Sequence, residues 1–285
     1  MSTDGVDEMK NAIVGNEALN LVLPMSNFSM NDMKFEDEEK MEKVSVKSSG
    51  KNNKKAEIEW GDLSSFGPVL PLGTDVLKNK PVYRVVKRLF DILLSSFALL
   101  VLSPVLLLVA LLIFLDDPHG SPIFVQPREG KKRKIFQLVK FRSMVVNAEE
   151  LLGDLKRRGI TIKDPSDPTY KLKDDPRITR FGRFIRKTSI DELPQLINII
   201  LGDMSIVGPR PPLTREVEQY NDFAMQRLLV RPGLTCIWQS TRNRDDVKFP
   251  DWMKMDVTYI QNCSLLLDCK LIIKTFAIVF TANGN

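Results

Sequence analysis

Apolar positions are sparse and aperiodic through residues 1–80, where Ser, Asn, Lys, Glu, Asp and Met dominate and biased runs such as EDEEKMEK and KSSGKNNKK recur. Such a stretch buries too little apolar surface to offset the entropy of ordering, so a mostly disordered polar leader is expected there. The patch ALNLVLPM inside it is too short for a signal-peptide core. The pattern then changes abruptly. From Ile92 to Leu115, ILLSSFALLVLSPVLLLVALLIFL runs for 24 residues without a charge.

A straight helix of that length reaches about 36 Å against a hydrocarbon core of about 30 Å, so a single membrane-crossing anchor fits. Ser103 and Pro104 at its centre favour a different geometry. Proline removes a helix hydrogen bond and disfavours helical geometry in the residue before it; a break there leaves two arms of about 18 Å, too short to span. Five cations precede the run (Lys78, Lys80, Arg84, Lys87, Arg88) and five follow it (Arg128, Lys131, Lys132, Arg133, Lys134), so flanking charge sets no orientation. A hairpin that enters one leaflet and turns back satisfies that balance, with Ser95, Ser96 and Ser103 as partners for freed backbone groups. Sequence physics alone leaves both geometries open.

Past residue 117 the period shortens. SPIFVQ and KIFQLVKF around the turn-rich PREGKK predict a β-hairpin, and NAEELLGDLKRR predicts a short amphipathic helix opened by Asn147. Residues 159–176, with Gly159, Pro165, Pro168 and Pro176, read as a surface loop. Helical periods resume at 191–201, about 213–229 and 249–262. The final LLLDCKLIIKTFAIVF is short for a span and suits a helix lying in the interface or packed on the domain. The expected class is α+β and mainly helical, in three parts: the leader (1–80), the membrane segment (81–117) and a domain that follows it (118–285).

Charge sharpens this picture. The net charge of +5 divides into −4 over residues 1–80 and +9 over the rest, so the working region favours anionic partners. Cys236, Cys263 and Cys269 show no C-x-x-C spacing and no disulfide framework, which suits a reducing compartment. The single histidine, His119, is expected in a loop and builds no zinc site with cysteines so scattered.

Three constellations carry chemistry. Arg177, Arg180, Arg183 and Arg186 recur every third residue, on one drifting helical face interrupted by Gly182, and arginine forks suit phosphate. In KTSIDELPQL, Pro194 is tolerated only in a first turn, which places a helix start at about Asp191. Asp191 and Glu192 there suit the ordinary role of helix caps. The same physics keeps a carboxylate beside arginines ionised, fit to act as a nucleophile or to hold a metal. In LGDMSIVGPRPPL, Gly202 ends the helix and a proline-locked loop presents Arg210. No Walker or G-x-G-x-x-G pattern occurs.

From about Val82 to near the C-terminus, the ordered series KRLFDILLSSFALLVLSPVLLL, QPREG, KFRSM, DDPRITRFGRFIRKTSIDELPQLINIILGDMSIVGPRP, RPGLTCIWQ and YIQNCSLLLDCKLIIKT resembles the bacterial sugar transferase family. These are small monotopic phosphoglycosyl transferases acting on polyprenyl phosphate. The resemblance implies a re-entrant membrane hairpin broken at Ser103 and Pro104, and it makes 118–285 a membrane-associated catalytic domain. It implies transfer of a sugar-1-phosphate from a UDP-sugar to undecaprenyl phosphate with Mg²⁺, releasing UMP at the cytoplasmic face of the inner membrane. It makes Asp191 the nucleophile, Glu192 its partner at the metal, and Arg186 and Arg210 phosphate-binding residues. Lys140 and Arg142 of KFRSM match positions facing the active region. The chain departs from the family pattern at QSTRNRDD, where a glycine is missing and either Arg242 or Arg244 stands for the family arginine. Cys263 replaces a common tryptophan. Nucleic acid is not among the implied partners, whereas a homo-oligomer and downstream glycosyltransferases are compatible with it. The competing function is a membrane-anchored basic adaptor that binds anionic lipid or nucleic acid without catalysis, in which Asp191 and Glu192 serve only as caps.

Overall fold

In the computed structural model, which describes residues 62–158, 175–242 and 244–280, the apolar run belongs to one long helix, α1 (Pro81–Asp116). Pro81 at its first position needs no helical N–H partner, and at the far end the Asp117 amide bonds back to the Ile113 carbonyl. The expected break at Ser103–Pro104 does not end the element. Pro104 leaves the Leu100 carbonyl without its usual donor, and the Ser103 hydroxyl donates to it at 2.8 Å instead.

Both ends of α1 touch the same domain. Near its start, Arg88 donates to the Ile199 and Ile200 carbonyls at 2.6 and 2.8 Å, and Asp91 accepts from the Ser205 hydroxyl and the Ile206 amide. Near its end, Val109 and Ile113 pack with Phe141 and Ile185. Between them Phe97, Leu100, Val101, Leu107 and Leu111 stay exposed, an apolar face that no described residue covers.

The hairpin forms as expected, from β1 (Ile123–Glu129) and β2 (Ile135–Phe141) in antiparallel register with Phe124 opposite Lys140 and Arg128 opposite Phe136. Pro127 and Arg128, expected in the turn, belong to β1; the turn is Gly130–Lys134, with Lys132 and Arg133 at positive φ. After α2 (Ala148–Arg157) the loop at 159–174 lies outside the described residues. The basic helix α3 covers only Arg180–Lys187 and is capped by Thr179, whose hydroxyl accepts from the Gly182 amide at 2.9 Å. A Cβ on Gly182 would lie 2.1 Å from the Ser143 carbonyl oxygen, so glycine is what lets α3 meet the end of the hairpin.

The segment that follows fixes the site. A 3₁₀ turn (Ile190–Gln195) leads into α4 (Leu196–Leu201), and Gly202 closes α4 at φ 94°. Arg88 caps the carbonyl end of α4. Asn198 bridges it to β2, accepting from the Val139 amide at 2.9 Å and donating to the Gln137 carbonyl at 2.7 Å. A parallel pair that the sequence pattern does not predict follows, β3 (Ser205–Val207) with β4 (Gly233–Thr235). Gly208 and Gly233 sit backbone to backbone there: a Cβ on Gly233 would lie 2.1 Å from the Gly208 nitrogen.

The helix expected over 213–229 is instead α5 (Thr214–Val217), α6 (Asp222–Met225) and a 3₁₀ turn (Gln226–Leu229). Asn221 breaks it by starting a new helix, its side chain accepting from the Ala224 amide. Helix α7 (Phe249–Asn262) has the expected bounds and carries Trp252, Met253, Val257 and Ile260 into the main core, while α8 (Leu265–Phe280) packs beside β3 and β4. Residues 1–61 lie outside the described residues. Residues 62–80, assigned above to a disordered leader, do pack. Leu63, Phe66, Val76 and Leu77 join the core, and Phe66 meets Phe223 edge-on at 5.3 Å.

Candidate active site

A cleft of about 840 Å³ lies under one face of the β1–β2 hairpin and is floored by the 190–195 turn. Antiparallel register places Phe124, Gln126 and Arg128 of β1 on the same face as Lys140 of β2. The turn is entered through Ser189 at φ 56°, a left-handed conformation uncommon for a non-glycine residue. That reversal carries the chain out of α3 and puts Asp191 and Glu192 on the cleft floor with Arg183, Arg186 and Lys187 beside them.

The two carboxylates are held differently. Glu192 is gripped at both oxygens, by Arg210 at 3.1 Å and by the Gln239 amide at 3.0 Å. Burial works against the Arg210 charge, and Glu192 overrides it and holds the guanidinium above its ordinary value. Asp191 accepts no hydrogen bond among the described residues. Burial, then the adjacent Glu192, push its carboxyl up to about 6 against the pull of Lys140, Arg186 and Arg210. The sequence anticipated a carboxylate kept ionised by arginines. It stays mostly ionised at neutral pH, yet its pKa moves upward because burial outweighs the cations.

Lys140 lies over the Phe124 ring at 5.2 Å and is brought down to about 8, first by burial and then by Arg128 and Arg210. Arg128 is 8% exposed, donates to the Pro211 carbonyl at 3.0 Å and to Gln126 at 2.8 Å, and leaves its Nε without a partner. The Arg210 loop is fastened from beneath. Arg227 is fully buried, donates to the Arg210 carbonyl at 2.8 Å and to the Tyr220 hydroxyl at 2.6 Å, and meets Asp256 at 2.9 Å. Glu129, Gly208 and Gly233 hold the same loop through backbone bonds to Pro212, Thr235 and Pro209.

Asp191, Glu192, Arg186, Arg210, Lys140, Arg142 and Arg244 all line this one cleft. Arg142 does so with its charge already engaged, at 2.9 Å from Asp117 and bonded to the Asp117 carbonyl, so it ties β2 to the end of α1. Arg242 is exposed and does not line the cleft, whereas Arg244 does, 5.7 Å over the Trp238 ring; of the two candidates left open, geometry favours Arg244. Arg177 lies before α3, not on it, in a two-pronged bond to Asp175. Arg128 and Gln239 were missed as site residues. For Arg128 a signal existed: in Gln126-Pro127-Arg128 the two polar residues alternate, as they must to share a strand face.

The sequence model described as bacterial sugar transferase matches residues 82–282, spanning α1 to α8 and every residue of the cleft. The chain belongs to the bacterial sugar transferase family. It is 40% identical over 201 residues to the undecaprenyl-phosphate galactose phosphotransferase of Salmonella typhimurium, covering 70% of this chain and 42% of that protein. It is 40% identical over 206 residues to the exopolysaccharide production protein ExoY of Rhizobium meliloti, covering 72% of this chain and 90% of that protein. With the undecaprenyl-phosphate glucose phosphotransferase of Komagataeibacter xylinus it shares 38% identity over 218 residues, 72% of this chain and 38% of that protein. It therefore spans less than half the length of the first and third of these relatives.

Proposed function

We propose that this family member transfers a sugar-1-phosphate, that of a hexose such as glucose or galactose, from a UDP-sugar to undecaprenyl phosphate. That is the first membrane step of an exopolysaccharide, capsule or O-antigen type of glycan. The observation that carries it is Asp191: a carboxylate with free lone pairs, at the floor of a cleft lined by Lys140, Arg186 and Arg210. The cleft's volume suits a nucleotide-sized ligand. The names of the Salmonella and Komagataeibacter relatives support the acceptor and the hexose.

In the first step an Asp191 oxygen attacks the phosphorus that bears the sugar. A P–O bond forms to the carboxylate, the bond to the second phosphate breaks, and UMP leaves with the electron pair. In the second step an oxygen of undecaprenyl phosphate attacks the same phosphorus, the bond to Asp191 breaks, and the carboxylate is regenerated. Two steps let the soluble product depart before the lipid arrives. Arg210, Arg186 and Lys140 neutralise the phosphates, and Glu192 holds Arg210 in place while Gln239 orients Glu192. Among the described residues no cluster of three or more ligating side chains exists. Mg²⁺ is nonetheless compatible with the site, because it is commonly held by one or two carboxylates together with substrate phosphates. Asp191 has free lone pairs for it and Glu192 lies next in the chain; the ion would supply charge neutralisation at the phosphates.

For the membrane segment we favour the re-entrant reading over a span. The contacts of Arg88 and of Ile113 with one domain support both flanks lying on its side, the cytoplasmic face of the inner membrane. The test is purified protein with Mg²⁺, undecaprenyl phosphate and a panel of UDP-sugars, following UMP. Release is expected with at least one donor, and Asp191→Asn should lower it at least about 10³-fold. With labelled donor and no acceptor, label should remain on the wild-type chain and not on the variant. No UMP from any donor, or full turnover in a folded Asp191→Asn protein, would overturn the proposal.

A further inference from the structure

A second cleft, of about 210 Å³, shares no lining residue with the first. It opens where the start of α1, the tip of the β1–β2 hairpin and the segment entering β4 converge. Its walls carry Arg84, Lys87 and Arg88 of α1, Lys131 of the hairpin and Arg231 before β4, against only Asp75 and Asp91. The acids are already in use. Asp75 is shared between Arg84 and Lys131, the latter at 4.0 Å, and Asp91 accepts from Ser205 and Ile206. Lys87 is matched by Asp268 at 2.8 Å. Arg88 faces only carbonyls, and Arg231 makes no ion pair or hydrogen bond among the described residues. Burial, then Arg88, then Arg84 bring Arg231 below its ordinary value, although Asp91 opposes them; Lys131 is likewise lowered, with Arg84 and Arg231 contributing. Three elements thus hold cations close enough to repel one another, and among the described residues Arg88 and Arg231 have no acid in direct contact.

We infer that this cleft binds the phosphate of an anionic phospholipid headgroup. Its volume falls below that of a nucleotide site, which suits one phosphate and the carbons esterified to it. Its position selects the lipid. Arg84, Lys87 and Arg88 lie immediately before the uncharged run that starts at Ile92, the level at which an interfacial helix meets headgroups. A headgroup phosphate there would join α1 to the hairpin tip and to the strand pair from which the Arg210 loop springs.

The experiment uses the full chain in a neutral detergent and follows thermal unfolding with short-chain phosphatidylglycerol, short-chain phosphatidylcholine or inorganic phosphate. Phosphatidylglycerol is expected to raise Tm in a saturable way, and the Lys131→Gln/Arg231→Gln double variant to need at least tenfold more lipid for half the shift. Both positions lie outside the catalytic cleft, so the variant should keep wild-type UMP release, and each shift is read against that protein's own Tm without ligand. Equal protection by inorganic phosphate, lost in the same variant, keeps the phosphate site and assigns it to a soluble anion. No protection by either anion, protection by phosphatidylcholine alone, or an unchanged shift in the double variant overturns the inference.

Discussion

Asp191 and Lys140 approach neutrality from opposite directions. Burial and Glu192 push the carboxyl up to about 6; burial, Arg128 and Arg210 bring the ammonium down to about 8. The proposed chemistry needs both charged, so kcat/KM should be bell-shaped, falling below about pH 6 as Asp191 gains its proton and above about pH 8 as Lys140 loses its own. Lys140→Arg, which cannot lose its charge in this range, should move the alkaline limb upward and leave the acid limb in place. A flat profile of UMP release from pH 5 to 9 would contradict the pairing. Stability carries the opposite sign. Between about pH 4 and 6 the folded Asp191 keeps a proton that the unfolded chain has released, so stability falls through that window and the cost persists above it. Asp191 is only partly buried, and that cost is about 1–3 kcal/mol. Asp191→Asn should therefore raise Tm at pH 7.5 by a few degrees in the ligand-free protein, while abolishing turnover. A lowered Tm would show that the charge is not a burden on the fold.

At the scale of elements, what was legible in the sequence was local. The hairpin followed from alternation, α7 from its period, and the end of α4 from Gly202. The 213–229 helix failed because its apolar spacing continues past Asn221, whose side chain offers the backbone a different partner. The β3–β4 pair was invisible because three-residue strands carry no period and their pairing joins residues far apart in the chain. Of the site, Asp191, Glu192 and Arg210 were legible because turn and helix punctuation surrounds them. Arg142 lines the cleft as expected, but its ion pair was hidden because Asp117 lies across a loop at the end of another element. Arg227 was equally hidden, and it governs how the Arg210 loop is held. Replacing it by Met strands Asp256 in the core and should cost about 3–5 kcal/mol in chemical denaturation. Adding Asp256→Leu should recover most of that stability. Turnover of the double variant should stay low, since the Arg210 carbonyl still lacks its donor. Recovery of turnover together with stability would reduce Arg227 to a packing role.

Over the whole molecule, the question is on which side of the membrane the two ends of α1 emerge. Cys236 and Cys263 are buried and Cys269 is exposed, so Cys269→Ser gives a background with little accessible thiol. Single cysteines at Val82 and Lys134, both exposed positions flanking the apolar segment, should then react with a membrane-impermeant reagent only from the cytoplasmic side. Labelling of the two from opposite sides would restore a spanning anchor. Strand pairing bears on the molecule in another currency, that of heredity. Gly208 and Gly233 are separated in the gene yet press backbone against backbone, and a single methyl group at either meets main-chain atoms at 2.5 or 2.1 Å. In a survey of tolerated substitutions these two codons would rank beside that of Asp191. No change at one could be rescued by a change at the other, because neither has a side chain to give up.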